Sequence, residues 1–483
     1  MKFRIVARFL SLLISVISVN MFFPLVWALM DGSPDSRAFL LSIAVGAVAA
    51  AVLYLVGKKA APSDMGAREA FAAVALAWVF ASCVGALPYL LGGYAPSFTD
   101  AFFEAMSGFT TTGATILTNV EANPRGILMW RSQTQWLGGM GIVVLTIALL
   151  PMLGVTMTQL FAAESPGPVL EKISPRIQDM ATMLWQVYMG LTCVGIVLLM
   201  CGGMNFYESI CHIFATVSTG GFSTRNASIG AYKSAYFDWV LTIIMFLSGA
   251  NFNLHLLAVQ KRSLRPYRDP EFLFYLKIVA AASLAVAAFI YCGGFYKSVL
   301  DSLRFAAFQV VSIITTTGFV TADYSLWPPF TQFALLLLMI IGGCAGSTAG
   351  AVKCVRIEII CEEIKSEFRH LIHANATVPI RLGDSNVDRD TAHSAVVFFG
   401  LYMLIFFSAM LIVTGTGQDL VTALGAVATT LGNVGPGLGK VGPVYNFESQ
   451  TFIAKWVYSF CMLCGRLELF TVLVLFSRDT WRR

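Results

Sequence analysis

Four short stretches constrain this chain more than anything else in it. They are Thr110-Thr111-Thr112-Gly113, Ser218-Thr219-Gly220-Gly221, Thr315-Thr316-Thr317-Gly318 and Gly432-Asn433-Val434-Gly435. Each follows a short segment of helical pattern and lies between two long apolar segments. An acidic residue stands 13 to 17 positions before each final glycine: Asp100, Glu208, Asp301 and Asp419. One Thr-Thr-Gly run is ordinary loop sequence. Four in the same context describe a chain made of four similar quarters, with final glycines 108, 97 and 117 residues apart. Units of this size bury a shared core only when packed on one another.

The surroundings of the tails are lipid-like. Of 483 residues, 57% are hydrophobic and 12% charged, with a mean hydropathy of +0.74. Soluble domains carry about a quarter charged residues. Ten segments are apolar and long enough to cross a bilayer: 5–30, 38–57, 70–92, 126–151, 180–202, 236–259, 272–294, 329–352, 392–414 and 451–476. The first lacks a small-residue cleavage site and reads as a retained helix. Four shorter helices, 100–112, 208–219, 301–316 and 419–431, do not cross. Non-helical backbone at membrane depth is tolerated only inside protein or beside water, and the Thr/Gly tails are such backbone. The pattern predicts an all-α membrane protein, with two N-terminal helices followed by four helix–pore-loop–helix repeats around a pseudo-fourfold axis. Its units are 1–66, the helix pair; 67–155, 156–262 and 263–373, three repeats; and 374–483, the fourth.

Lys and Arg set the orientation. With the N-terminus inside, 21 fall on the cytoplasmic side and 9 on the other, while Lys277 and Arg466 lie within spans. That bias places both termini in the cytoplasm, and all four tails then approach from outside.

A row of backbone carbonyls replaces a cation's water shell without a fixed charge that would trap the ion. Turning successive carbonyls toward one axis takes unusual backbone angles, which glycine permits. The upstream acids sit at the starts of the short helices, where they complement the helix dipole and gather cations at a mouth. The negative helix ends then face the axis and favour a cation.

Two further features stand out. Gly342-Gly343-Cys344-Ala345-Gly346-Ser347-Thr348-Ala349-Gly350 cannot hold a straight helix well. Arg466 is a charge inside a span, so it faces a cavity or a partner; Glu468, two residues on, lies on another helix face. Cys461 and Cys464 read as small packing residues, since no second ligand pair is near. No P-loop and no βαβ dinucleotide fingerprint is present, so no organic cofactor is expected in this chain, nor an enzymatic activity or a nucleic-acid partner.

With these residues in view, the whole chain resembles the Trk/Ktr/HKT superfamily of K⁺ transporters, and within it the bacterial TrkH branch, which carries the extra N-terminal helix pair. The supporting stretches are 107–115, 218–224, 315–321 and 433–439, with 136–141, 248–255, 342–353 and 465–470. The resemblance implies a K⁺ filter of four quarters: Thr111, Thr112 and Gly113; Thr219, Gly220 and Gly221; Thr316, Thr317 and Gly318; Asn433, Val434 and Gly435. Gly432 rivals Gly435, which is preferred because Asn-Val-Gly-Pro is closer to the family's fourth tail. Glycine at 113 favours K⁺, since serine marks Na⁺-preferring plant relatives. The resemblance also implies an intramembrane gate at Gly342, Gly343, Gly346, Ser347, Thr348 and Gly350, contacted by Arg466, with Lys353 projecting into the vestibule below. It implies K⁺ uptake across the bacterial inner membrane by a homodimer. Control would come from a cytosolic Rossmann-type (RCK/KTN) subunit binding NAD(H) or ATP/ADP, docked on 260–271, 353–390 and the C-terminus. Whether flux is channel-like or H⁺- or Na⁺-coupled symport stays open. A secondary transporter with a midplane solute site is a further alternative.

Overall fold

The computed structural model describes residues 3–60, 66–141, 177–373, 379–383 and 385–478. Helix α1 (Phe3–Asn20) is separated only by Met21 from α2 (Phe22–Met30), and α3 (Asp35–Gly57) returns alongside α1. Small residues allow that close return: Gly46 lies on Ser18, and Gly57 on the backbones of Arg4 and Arg8. The next span is α4 (Ala67–Gly85) with α5 (Leu87–Leu91). After it the chain enters the first short helix, α6 (Phe98–Phe109), a tail, and α7 (Arg125–Gly139). The expected remainder of that span, 142–151, lies outside the described residues.

The same order recurs three times. A span, α8 (Ile177–Cys201), leads to the short helix α9 (Phe206–Val217), a tail, and then α10 (Ala235–Ser248) and α11 (Phe252–Lys261). Next come the span α12 (Pro270–Cys292), the short helix α13 (Val299–Ile314), a tail, α14 (Pro329–Ile341), a loop and α15 (Cys354–Ile372). A hairpin of β1 (Ile380–Leu382) and β2 (Ser385–Val387) precedes the span α16 (Arg389–Gly415). Last are the short helix α17 (Leu420–Gly432), a tail, α18 (Phe452–Arg466) and α19 (Phe470–Leu473).

Among the described residues six helices are long and apolar enough to cross a membrane, eight if each bent pair counts as one. The chain is a helical membrane protein. Three expected spans are not continuous. Segment 236–259 bends by 95° between α10 and α11, and 451–476 bends by 115° between α18 and α19. Segment 329–352 stops at Ile341, where Gly342 takes φ 78°. The antiparallel hairpin also departs from an all-α reading. It is anchored by Ile380, which packs with Val355, Ile359, Ala392 and Ala395.

Candidate functional site

Each short helix is started by a side chain that accepts a backbone N–H. Ser97 accepts from Asp100 and Asn205 from Glu208, at 3.2 and 2.8 Å. Ser298 accepts from Leu300 and Asp419 from Thr422, at 3.2 and 3.1 Å. Such caps satisfy N–H groups that have no partner within the helix. Asp100, Glu208 and Asp301 fall in the first turn, where a negative charge suits the dipole.

The four helices also end alike. The N–H of Thr112, Gly220, Thr317 and Val434 each donates to the carbonyl five residues earlier, at 2.8 to 2.9 Å. That closure puts the preceding residue in the left-handed region. Those residues are Thr111, Thr219, Thr316 and Asn433, with φ from 53 to 57°. Two positions later Gly113, Gly221, Gly318 and Gly435 again have positive φ, from 76 to 104°. In an extended chain successive carbonyls alternate sides; alternating the sign of φ turns them toward one side. Gly435, and not Gly432 within α17, occupies the position equivalent to the other three glycines.

The tails meet in cyclic order. A Cβ on Gly113 would overlap the Gly220 carbonyl oxygen, one on Gly221 that of Thr317, and one on Gly318 that of Val434. One on Gly435 would stand 2.6 Å from the Thr112 carbonyl oxygen, returning to the first tail. All four glycines line one cavity, with Arg131, Phe222, Val320 and Pro436 around it. The tails are braced from behind. Asn433 Nδ2 donates to Thr112 Oγ1 and to the Met462 carbonyl, both at 2.9 Å. Gln135 donates to the Gly220 carbonyl at 2.6 Å and accepts from the Phe222 N–H at 3.0 Å. The buried Arg131–Glu104 pair, 2.8 Å, joins two tail exits. Arg131 reaches the Ser223 carbonyl, and Glu104 accepts from the Ile116 N–H.

The upstream acids are not free charges at a mouth. Asp100 pairs with Lys455 at 2.6 Å, Glu208 with Arg225 at 2.7 Å and Asp301 with Arg304 at 3.0 Å. Asp419 lies 4.0 Å from Lys440. Each acid thus has a cation beside it: the buried Asp100–Lys455 pair joins two segments, the Asp301–Arg304 pair lies within α13, and the Asp419–Lys440 contact is exposed.

The glycine-rich loop lies against the other end of the tails. The Gly350 N–H donates to Thr316 Oγ1 at 2.8 Å, and Thr348 Oγ1 donates to the carbonyls of Val217 and Ser248. Its glycines serve close approach: the Gly343 Cβ position is 2.8 Å from the Gly249 carbonyl oxygen, at the break between α10 and α11. Gly346 accepts there from the Phe252 N–H at 3.0 Å. Ser347 Oγ donates to the Cys344 carbonyl. Arg466 donates to the Thr348 carbonyl at 2.8 Å, and to those of Gly138 and Gly139 at 2.7 and 2.9 Å. Thr348, Gly350, Lys353 and Arg466 line one cavity with Trp78 and Glu468. Lys353 does not project there as a free ammonium: it pairs with Glu468 at 2.7 Å, and Glu468 also binds Arg356. Glu271, which sequence reading passed over, accepts from the N–H groups of Ala345 and Val355, at 2.7 and 3.1 Å, and so ties the loop and the start of α15 to α12.

Among the described residues no group of three or more His, Cys, Asp or Glu is placed to hold a metal ion, and Cys461 and Cys464 are buried thiols. The chemistry gathered here is that of backbone oxygens. A family model described as a cation transport protein, TrkH, matches residues 36–293 and 294–482. The chain belongs to the TrkH family. That family is one of transport proteins, not enzymes. The TrkH potassium uptake protein of Escherichia coli K12 is 40% identical over the full length of both chains. That of Halomonas elongata is 39% identical, also over the full length of both. The crystal structure of the potassium transporter TrkH from Vibrio parahaemolyticus superposes with a TM-score of 0.89 at 35% identity, covering all of both chains.

Proposed function

We propose that this TrkH-family chain takes up K⁺ through rings of backbone oxygens supplied by Thr111–Gly113, Thr219–Gly221, Thr316–Gly318 and Asn433–Gly435. The carrying observation is the cyclic contact of each tail glycine with the next tail's carbonyl. Four repeats, within 67–155, 156–262, 263–373 and 374–483, then surround a pseudo-fourfold axis, with the helix pair 1–66 outside it. The names of the full-length relatives, potassium uptake proteins of bacteria, support K⁺ as the ion; the bacterial inner membrane is the place in this reading. Glycine at 113 is the selectivity choice. Replacing it with serine should raise Na⁺ permeation relative to K⁺; unchanged selectivity would remove the filter assignment.

The loop from Gly342 to Gly350 acts as the gate in this reading, held across the ion path by Arg466 and steadied by Lys353 through Glu468. What supports this is that Arg466 joins the loop to the end of α7, while the loop itself bonds to Thr316. Both termini lie in the cytoplasm. The working unit is a homodimer controlled by a nucleotide-binding cytosolic subunit of Rossmann type. The 19-residue helix α15 offers that subunit an exposed apolar face of Ile364, Phe368, Leu371 and Ile372.

A further inference from the structure

The N-terminal helices supply none of the tail or loop residues, yet they hold a groove of their own. It runs between α1 and α3 and encloses about 570 Å³. Leu12, Ser15 and Val19 line one side, and Ile43, Ala47 and Ala51 the other. Its depth comes from small side chains, and its lining is mostly apolar. From Arg8 to Val19 it extends about 17 Å at the helical rise, close to half of a roughly 30 Å hydrocarbon core.

One end is basic. Arg8 lines the groove there and donates to the Ala60 carbonyl at 2.9 Å. Gly57 rests on the backbones of Arg4 and Arg8, which brings Lys58 and Lys59, the next residues, to the same end. Arg4, Lys58 and Lys59 are exposed. Among the described residues none of the four cations has an acidic partner. A similar groove between α16 and α18, lined by Leu404, Ile412 and Phe460, has no cation on its lining.

We infer that the α1–α3 groove is a binding site for an anionic phospholipid. One acyl chain lies between Leu12, Val19, Ile43 and Ala47, and the phosphate meets Arg4, Arg8, Lys58 and Lys59. The apolar lining selects a chain, and the uncompensated charge selects the headgroup. A second copy docked face to face on this surface would set four cations against four, which disfavours that occupant.

Native mass spectrometry of the full chain tests this, comparing phosphatidylglycerol with phosphatidylcholine of identical acyl chains. Binding of the anionic lipid should be about tenfold tighter. Arg4→Gln with Lys58→Gln and Lys59→Gln should bring the two lipids to within about twofold. Ala47→Phe with Ala51→Phe should lose the preference with all cations kept. Inorganic phosphate and glycerol 3-phosphate at millimolar concentration should not displace the lipid. Equal binding of the two lipids by the unaltered chain would overturn the inference, and that comparison needs no variant to fold. So would a preference that survives both variants, displacement by free phosphate, or a groove variant that loses a second protein copy instead of lipid.

Discussion

Thr111, Thr219 and Thr316 occupy a backbone position that suits threonine poorly. A β-branched residue at positive φ is a marked outlier, costing on the order of 1–3 kcal/mol. Asn433, in the fourth tail, tolerates that conformation better, which gives its departure from the threonine pattern a physical sense. Strain repeated at equivalent positions points to use of the hydroxyls and carbonyls there. Gly318→Ala should abolish K⁺ uptake, because its Cβ would overlap the Val434 carbonyl. Gly190→Ala, in α8 with nothing within 4 Å of the new atom, should leave uptake unchanged. Rubidium uptake in cells lacking other K⁺ systems measures both. The buried Arg131–Glu104 pair gives a stability prediction: Arg131→Ala strands a buried carboxylate and should cost about 3–5 kcal/mol, read from thermal unfolding in detergent. The tail residues were legible because Thr and Gly carry their own backbone preferences. Gln135, Arg131 and Glu104 were not, since their partners lie as far as 92 residues away along the chain.

At the scale of elements, the short helices announced themselves by an acid near a cap and an apolar run too brief to span. The break after Ile341 was legible from its glycines. The bends of 95° and 115° were not. The second turns at Glu468 and Leu469, with φ of 54 and 53°, and neither residue signals a left-handed turn. Tertiary bonds hold it: Glu468 to Lys353 and Arg356. The hairpin was missed because its strands are three residues each. Glu271→Ala leaves two N–H groups, one in the loop and one at the start of α15, without their acceptor, at about 1–3 kcal/mol each. Glu271→Gln keeps an acceptor oxygen and should be far milder. Thermal unfolding and ion flux, measured together on both variants, check this.

Across the whole molecule, the helix pair is tied to the first quarter by the ion pair of Asp31 with Arg125. That hydrogen bond holds the Asp31 carboxyl below its ordinary value of 3.8. A depressed carboxyl contributes stability above 3.8 that is lost as pH falls through its folded value. Melting temperature should therefore drop on the acid side below about pH 4, and Asp31→Asn should flatten that part of the profile. The pairing of each upstream acid with a cation also bears on the proposed function: in that reading selectivity is assigned to the tails, not to a ring of free carboxylates.

The most direct test is passive flux of K⁺, Rb⁺, Na⁺ and Li⁺ into proteoliposomes holding only this chain, alongside Arg466→Ala, which removes the bond from Arg466 to the Thr348 carbonyl of the loop and those to Gly138 and Gly139. The account predicts K⁺ and Rb⁺ flux far above Na⁺ and Li⁺, with the variant conducting faster at unchanged selectivity. Equal passage of all four ions, or no K⁺ flux even in Arg466→Ala, would contradict it.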